Sequence, residues 1–344
     1  MPDTALACEF AAVPAVIERT APDAAALDGL LRGASEPFVV RGLVADWPLV
    51  QAARRSARDV RSHLLERVRP GPFAVSIASP EHDGRMFYDA AMGMNFSTAR
   101  GKLADIFAGI DANEDRADPP TIYLGSIDVP THFDHVHEEN RIDLGTRTPI
   151  VSLWIGTRTR IAAHNDFPDN LACCVAGRRR FTLFPPDQFR NLYLGPIDNT
   201  PAGRAVSMVD FRAPDLDRHP GFATALKSAQ VAELDPGDAL FIPSMWWHHV
   251  EGLAPFNILM NYWWRDTPRY LGQPQDALNH AILSIRDLPA RDKAIWRDLF
   301  DHYVFGSGPD VTDHIPPGGR GVLDPLDAEA AGRLRSFLLR TLSR

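Results

Sequence analysis

The chain has 344 residues, 45% of them hydrophobic, enough to bury one large core or two ordinary ones. A net charge of -8 and a pI near 5.8 argue against a protein whose whole surface grips nucleic acid, and leave at most a local basic groove. Among three cysteines, the neighbours Cys173 and Cys174 fall on opposite faces of an extended strand, so no disulfide framework is implied and a reducing compartment fits. No apolar run reaches the length of a membrane span, and the N-terminus carries acids rather than a basic stretch before its short apolar run, so a cytoplasmic location is expected.

In chain order, a helix is predicted over 23–31, a strand over 37–42, a turn at Asp46-Trp47-Pro48 and a second helix over 56–67. Phe73 to Ala78 reads as a strand, Met86-Phe87-Tyr88 as a bridge, and 97–110 as an amphipathic helix capped by Ser97 or Thr98. Pro119 to Leu124 reads as a strand, 130–140 as a polar loop, and Ile150 to Ile155 as an apolar strand. Beyond Pro186 a short helix over 187–192 leads into 195–218, which is rich in Pro, Gly and Asp without periodicity and reads as a long surface excursion. Strand signals return at Ala232 to Leu234, at Ala239 to Ile242 after the turn Asp235-Pro236-Gly237-Asp238, and at Asn257 to Trp264. Regularly spaced strands with few helices between them favour a small antiparallel barrel or jelly roll over a βαβ fold. From Pro274 the pattern turns helical. Three helices, the first capped by Asp276, the others following Pro289 and Asp327, carry wide apolar stripes that either pack on the barrel or are shared with a second subunit. The expected division is 1–268 for the barrel with its N-terminal additions and 269–344 for the helical region.

The densest chemistry lies between Arg160 and Phe184, in RIAAHNDFPDNLACCVAGRRRFTLF. Residues i and i+2 of a strand share a face, so His164 and Asp166 converge. Gly177 offers a turn, and the chain from Arg178 to Phe184 reads as the return strand of a hairpin, stopped by Pro185-Pro186. Alternation puts Arg179 with Phe181 and Leu183, so one arginine points inward while Arg178 and Arg180 point outward. A turn centred on Ala176-Gly177 pairs Arg179 with Cys174, on the face of His164, Asp166 and Asn170. An inward arginine beside two metal-type ligands points to an anionic co-substrate.

A third ligand should come from another strand, and Phe241 to His249 offers two adjacent histidines. Barrel metalloproteins of the cupin type use a first motif G-x5-H-x-H-x3-E-x6-G and a second, G-x5-P-x-G-x2-H. Gly237, Pro243 and His248 fit the second, with Met245 at its inner glycine; His164, Asp166, Asn170 and Gly177 fit the first, with Arg158 at its leading glycine. His248 is therefore preferred over His249, which falls on the other face. The loop His132-Phe133-Asp134-His135-Val136-His137 repeats H-x-D and H-x-H but lacks an inward cation, and reads as a solvated loop or active-site rim. Of the tryptophans Trp246, Trp247, Trp263 and Trp264, Trp263 is the one expected to face the pocket.

Two imidazoles and one carboxylate leave about half an octahedron open, the arrangement of non-haem Fe(II) oxygen chemistry, whereas a structural zinc site would be closed and thiolate-rich. A 2-oxo acid can chelate such an iron and supply electrons to O2, while its far carboxylate needs a cation, and Arg179 is that cation.

At these residues the chain resembles the JmjC/cupin-like (cupin_8 type) 2-oxoglutarate oxygenases, in the branch typified by the asparaginyl hydroxylase factor inhibiting HIF and its bacterial relatives. The resemblance runs through 37–42, Asp46-Trp47-Pro48, the H-x-D stretch, Leu183 to Phe189, Val209-Asp210-Phe211, Pro236-Gly237-Asp238, Trp246 to His249 and Asn261-Tyr262-Trp263. It implies a double-stranded β-helix with flanking helices, Fe(II), 2-oxoglutarate and O2 as cofactor and co-substrates, and His164, Asp166 and His248 as iron ligands. It further implies that Asn170 and Asn261 lie beside the metal-chelating end of 2-oxoglutarate, that Tyr123 reaches its distal carboxylate, and that the C-terminal helices form a homodimer. The branch usually has lysine at Arg179, a change of geometry at constant charge. Its threonine on the distal carboxylate has two candidate counterparts here, Thr159 and Ile161. The position of Arg179 favours hydroxylation over N-methyl demethylation, on a protein side chain or a small molecule. Two other classes stay open: a catalytically silent metal-binding cupin acting as a sensor or scaffold, and a cupin metalloenzyme that ignores 2-oxoglutarate.

Overall fold

A computed structural model describes residues 13–306 and 309–343; the N-terminal stretch read for targeting signals lies mostly outside the described residues. Contacts divide the chain after Arg265 into a barrel unit and a helical unit. The barrel unit carries β1 (Phe38–Val40), β2 (Phe73–Ala78), β3 (Arg85–Met86), β4 (Phe96–Gly101), β5 (Thr121–Asp128), β6 (Ile150–Gly156), β7 (Arg160–Asn165), β8 (Asp169–Ala176), β9 (Arg179–Phe184), β10 (Gln230–Leu234), β11 (Ala239–Ile242), β12 (Trp247–Gly252) and β13 (Asn257–Trp264). They form an eight-stranded sheet, β1-β11-β8-β13-β6-β5-β2-β4, and a five-stranded sheet, β10-β9-β12-β7-β3. From β6 onward the chain changes sheet at nearly every step: β6, β8, β11 and β13 lie in the larger sheet, β7, β9, β10 and β12 in the smaller. That alternation winds a double-stranded β-helix, the cupin fold expected from the sequence.

Period-2 alternation sorts the side chains between layers. On β13, Ile258, Met260, Tyr262 and Trp264 pack outward against the N-terminal helices Ala24–Gly33, Pro48–Arg55 and Ala57–Leu65, whereas Leu259 faces the space between the sheets. The neighbours Cys173 and Cys174 divide the same way, Cys173 into the outer layer and Cys174 into the inter-sheet core. Both thiols are free, and burial pushes the Cys174 thiol up to about 12, so neither has thiolate reactivity. The excursion 195–218 and the short helix Phe222–Leu226 close over the back of the smaller sheet through Val209, Phe211, Phe222, Phe184 and Trp247.

Two expectations about the strands fail. The hairpin does not exist: β8 pairs with β11 and β13 in the larger sheet, and β9 pairs with β10 and β12 in the smaller. Gly177 is a crossover between sheets rather than a hairpin turn. It sits at φ +72, and a Cβ there would meet the Phe256 carbonyl oxygen at 2.5 Å, so the close approach of Phe256 and Asn257 demands glycine. The helix predicted from Ser97 begins only at Leu103, because Phe96–Gly101 pairs residue for residue with β2 as an edge strand. Thr98 fits the strand, and the edge of β2 supplies hydrogen-bond partners that overrule local helix propensity.

In the helical unit, Pro274–Ser284, Ala290–Phe300 and Ala328–Leu342 form the predicted helices, with Gln273 rather than Asp276 at the first cap. Among its described residues, members of each predicted apolar stripe are exposed, Leu278 by 50%, Ile295 by 58% and Phe337 by 56%. No helix among the described residues is long and apolar enough to cross a membrane.

Candidate metal centre

His164 and His248 stand directly opposite each other on β7 and β12, and their rings approach to 4.4 Å. Asp166 follows β7 in the segment that crosses between sheets. That segment is tied to the turn before β12: Met245 N–H donates to the Asp166 carbonyl (2.8 Å), and the Ser244 hydroxyl donates to the Phe167 carbonyl (2.6 Å). This stitching brings together ligands about eighty residues apart in sequence. Met245 holds φ +68, a left-handed conformation that explains why glycine suits this motif position. The ligand atoms of His164, Asp166 and His248 all lie within 4.8 Å of one another, and they are the only such cluster among the described residues.

Both imidazoles are oriented alike. Nδ1 of His164 lies 2.9 Å from the Ala162 carbonyl and Nδ1 of His248 lies 3.1 Å from the Trp246 carbonyl. Assigned as donors there, the Nδ1 atoms leave both Nε2 lone pairs for a metal. Nε2 of His248 is 3.6 Å from the Asp166 carboxylate. Burial, reinforced by neighbouring His164, holds His248 down to about 4, so it is neutral and ready to ligate at pH 7. His249 projects to the opposite side, buried and stacked 4.6 Å from the Phe211 ring; burial and nearby Arg160 hold it down to about 3. Just beyond this pair, between His248 and Val250, the β7 and β12 registers slip by one residue, and the Ala163 carbonyl accepts from Ser207 N–H at 2.8 Å.

The triad opens into a cavity of about 440 Å3 that Arg179, Tyr123, Asn170, Asn261 and Trp263 also line. Arg179 does point inward, although for a reason other than the hairpin: it leads β9 in register with Leu234 and Gly252, and alternation carries it inside with Phe181 and Leu183. It is 2% exposed, donates one long hydrogen bond to the Trp154 carbonyl (3.3 Å), keeps Nε unpartnered and meets no carboxylate among the described residues. Burial lowers its pKa, partly offset by Tyr123, whose hydroxyl burial pushes up to about 12. Asn261 donates to Asn170 at 2.6 Å, leaving its own oxygen without a partner. Ile161 lines the cavity and Thr159, though buried, does not, so no threonine stands at that place.

The loop 130–140 does not rim this cavity; Pro130, Thr131, Asp134, His135, Glu138 and Glu139 are exposed, as expected of a solvated loop, while its apolar residues anchor it. Val129, Phe133 and Val136 are buried in the outer core, the His132 ring packs on Phe73, and the His137 ring on Tyr262. Sequence reasoning missed the open end of the cavity, built by Ala74 and Ser76 of β2, Met86, Phe96, Ser126 and Arg204. Arg204 lies in the aperiodic excursion, where no pattern marks it.

Fold and triad together define a cupin-type barrel that could hold a metal through two histidines and an aspartate. The cupin-like domain family matches residues 29–270, and the chain belongs to this family, of JmjC type. It is similar to HSPB1-associated protein 1 of Bos taurus, 26% identical over 66% of this chain and 48% of that protein. It is also similar to lysine-specific demethylase JMJ31 of Arabidopsis thaliana, 33% identical over 33% of this chain and 21% of that protein, and to tRNA wybutosine-synthesizing protein 5 of Danio rerio, 33% identical over 35% and 32%. The chain thus spans less than half the length of these curated relatives. Members of the family are typically Fe(II)/2-oxoglutarate oxygenases.

Proposed function

We propose that this chain is an Fe(II)- and 2-oxoglutarate-dependent oxygenase that hydroxylates a protein side chain or small molecule. The observation that carries the reading is Arg179: a buried guanidinium with no carboxylate partner among the described residues, in the same cavity as an open His-Asp-His cluster. An isolated buried charge is destabilising until something neutralises it, so the pocket suits an anion. His164, Asp166 and His248 would hold the iron, Asn170 and Asn261 would flank the chelating end of 2-oxoglutarate, and Arg179 with Tyr123 would take its far carboxylate. When bound, iron would let 2-oxoglutarate reduce O2, one oxygen atom going into succinate as CO2 leaves and the other converting a substrate C–H to a C–OH. The chain's own residues position these groups: Ile161, Phe181, Val250 and Leu259 keep that end apolar, and no protein acid or base is required.

The acidic balance of the chain directs the reading toward a protein or small-molecule substrate rather than nucleic acid, and one relative is named for association with another protein. The free, buried Cys173 and Cys174 suit a cytoplasmic location. The open apolar stripes of 274–342 suit pairing of two copies, which light scattering of the full chain checks: a dimer that Trp296→Asp with Leu339→Asp reduces to a monomer supports it, and a wild-type monomer rules it out. For the activity, anaerobic reconstitution with Fe(II), followed by 2-oxoglutarate, ascorbate and air, should give succinate in the absence of added substrate. Wild-type protein that loads iron yet forms no succinate would support the silent-scaffold reading instead.

A further inference from the structure

The oxygenase reading leaves one charged group in the cavity without a task. Arg61, Arg67, Arg85, Arg147, Arg160 and Arg320 are buried or half-buried, and each reaches a carboxylate. Arg179 and Arg204 reach none among the described residues, and both line the same cavity, whose only carboxylate is Asp166. In a protein of net charge -8, this hollow therefore carries two guanidiniums against one acid. Arg204 sits half-buried, its guanidinium carbon 3.6 Å from the centre of the Phe167 ring. Stacking on an aromatic face fixes the guanidinium while leaving its N–H edge free for a planar acceptor. The one acid lining its cavity is Asp166, and a divalent ion on the triad would claim that carboxylate.

The co-substrate does not account for Arg204. A 2-oxo diacid has two carboxylates, one used in chelation and one on Arg179. The same cavity is also lined by apolar or hydroxylic side chains, Ala74, Ser76, Met86, Phe96 and Ser126. We propose that Arg204 is the specificity-determining residue, and that the substrate presents a carboxylate or phosphate to it while an apolar part rests on Met86 and Phe96. A single cation on an acidic protein suits one small acidic group, not the repeated charges of a nucleic-acid backbone. The proposal rests on the oxygenase reading and adds the chemical class of the substrate.

The test uses the full chain loaded with Zn(II) and saturating 2-oxoglutarate, which occupies Arg179. Acetate, monomethyl phosphate and neutral acetamide are titrated by calorimetry into wild type, Arg204→Met and Arg204→Lys. Wild type should bind at least one anion saturably and acetamide not at all; Arg204→Met should weaken the anion at least fivefold, and Arg204→Lys should recover part of the loss. Tighter acetate points to a carboxylate substrate, tighter monomethyl phosphate to a phosphate. No anion binding by wild type, or equal binding by Arg204→Met, overturns the proposal, and a change confined to Zn(II) affinity would show that Arg204 only balances Asp166. Failure of 2-oxoglutarate itself to bind wild type would instead sink the underlying oxygenase reading, and the anion titration of metal-free protein would still report on Arg204.

Discussion

At the closed end of the cavity, Arg179, Phe181, Leu259 and Asn261 stand on β9 and β13, each flanked by paired strands on both sides. At the open end, Pro201 to Arg204 come from the excursion 195–218, which joins neither sheet and is held by single contacts such as Ser207 N–H to the Ala163 carbonyl and Asp210 to Arg85 and Arg160. The closed end has its geometry imposed by ladders of hydrogen bonds and so can hold a fixed, small co-substrate; the open end owes its shape to loop packing, where variation in substrate is cheapest to accommodate. Chemistry common to a family belongs at the first place and specificity at the second.

The sharpest way to break this comparison is to remove a ligand. His164→Ala or Asp166→Ala should weaken Mn(II) binding by at least about 100-fold and abolish succinate formation, whereas no substitution at the open end should do so. Retention of tight metal binding by either variant, measured by equilibrium dialysis, would place the metal elsewhere. Next in size is Arg179. Losing a buried charge-assisted pair worth about 3–5 kcal/mol should raise the 2-oxoglutarate requirement of Arg179→Met by about 100-fold or more with metal retained. The same variant should be more stable than wild type without ligands, because a solitary buried charge has been replaced by an apolar chain of similar length; a lower thermal midpoint for ligand-free Arg179→Met would contradict that account of Arg179.

Smaller effects separate the faces of β12. His248 and His249 have folded pKa values near 4 and 3, below the ordinary 6.5, so the native state takes up fewer protons than the unfolded chain as pH falls from 6.5 toward 4. Each should therefore remove stability with acidification, by up to about 1.4 kcal/mol per pH unit, from a contribution fully present above pH 6.5. Urea midpoints of metal-free protein at pH 7 and pH 5 should differ more for wild type than for His249→Leu; identical slopes would mean that His249 titrates normally. Smallest is Met245→Gly, which should raise stability by about 0.5 kcal/mol by relieving a left-handed methionine that is 38% exposed and packs little, read as a slightly higher urea midpoint.

The closed end was legible because strand alternation has a period of two and motif spacing fixes register: His248 faces in and His249 out, and Arg179 follows Phe181 and Leu183 inward. Alternation does not say which strands pair. The turn at Gly177 looks the same whether the chain doubles back on β8 or crosses to the facing sheet, so the orientation of Arg179 came out right from a hairpin that does not exist. Edge strand β4 was misread as helix because its partner β2, not its own composition, decides its conformation. Arg204 had no periodic signal, since its place in the cavity depends on the path of a loop over the barrel.

The most direct test of the central claim is anaerobic titration of the Fe(II)-loaded chain with 2-oxoglutarate, followed by the visible charge-transfer absorption of the chelate. The account predicts a saturating band for wild type, a band needing about 100-fold more 2-oxoglutarate for Arg179→Met, and none for Asp166→Ala. Equal titrations for wild type and Arg179→Met, or no band in iron-loaded wild type, would contradict it.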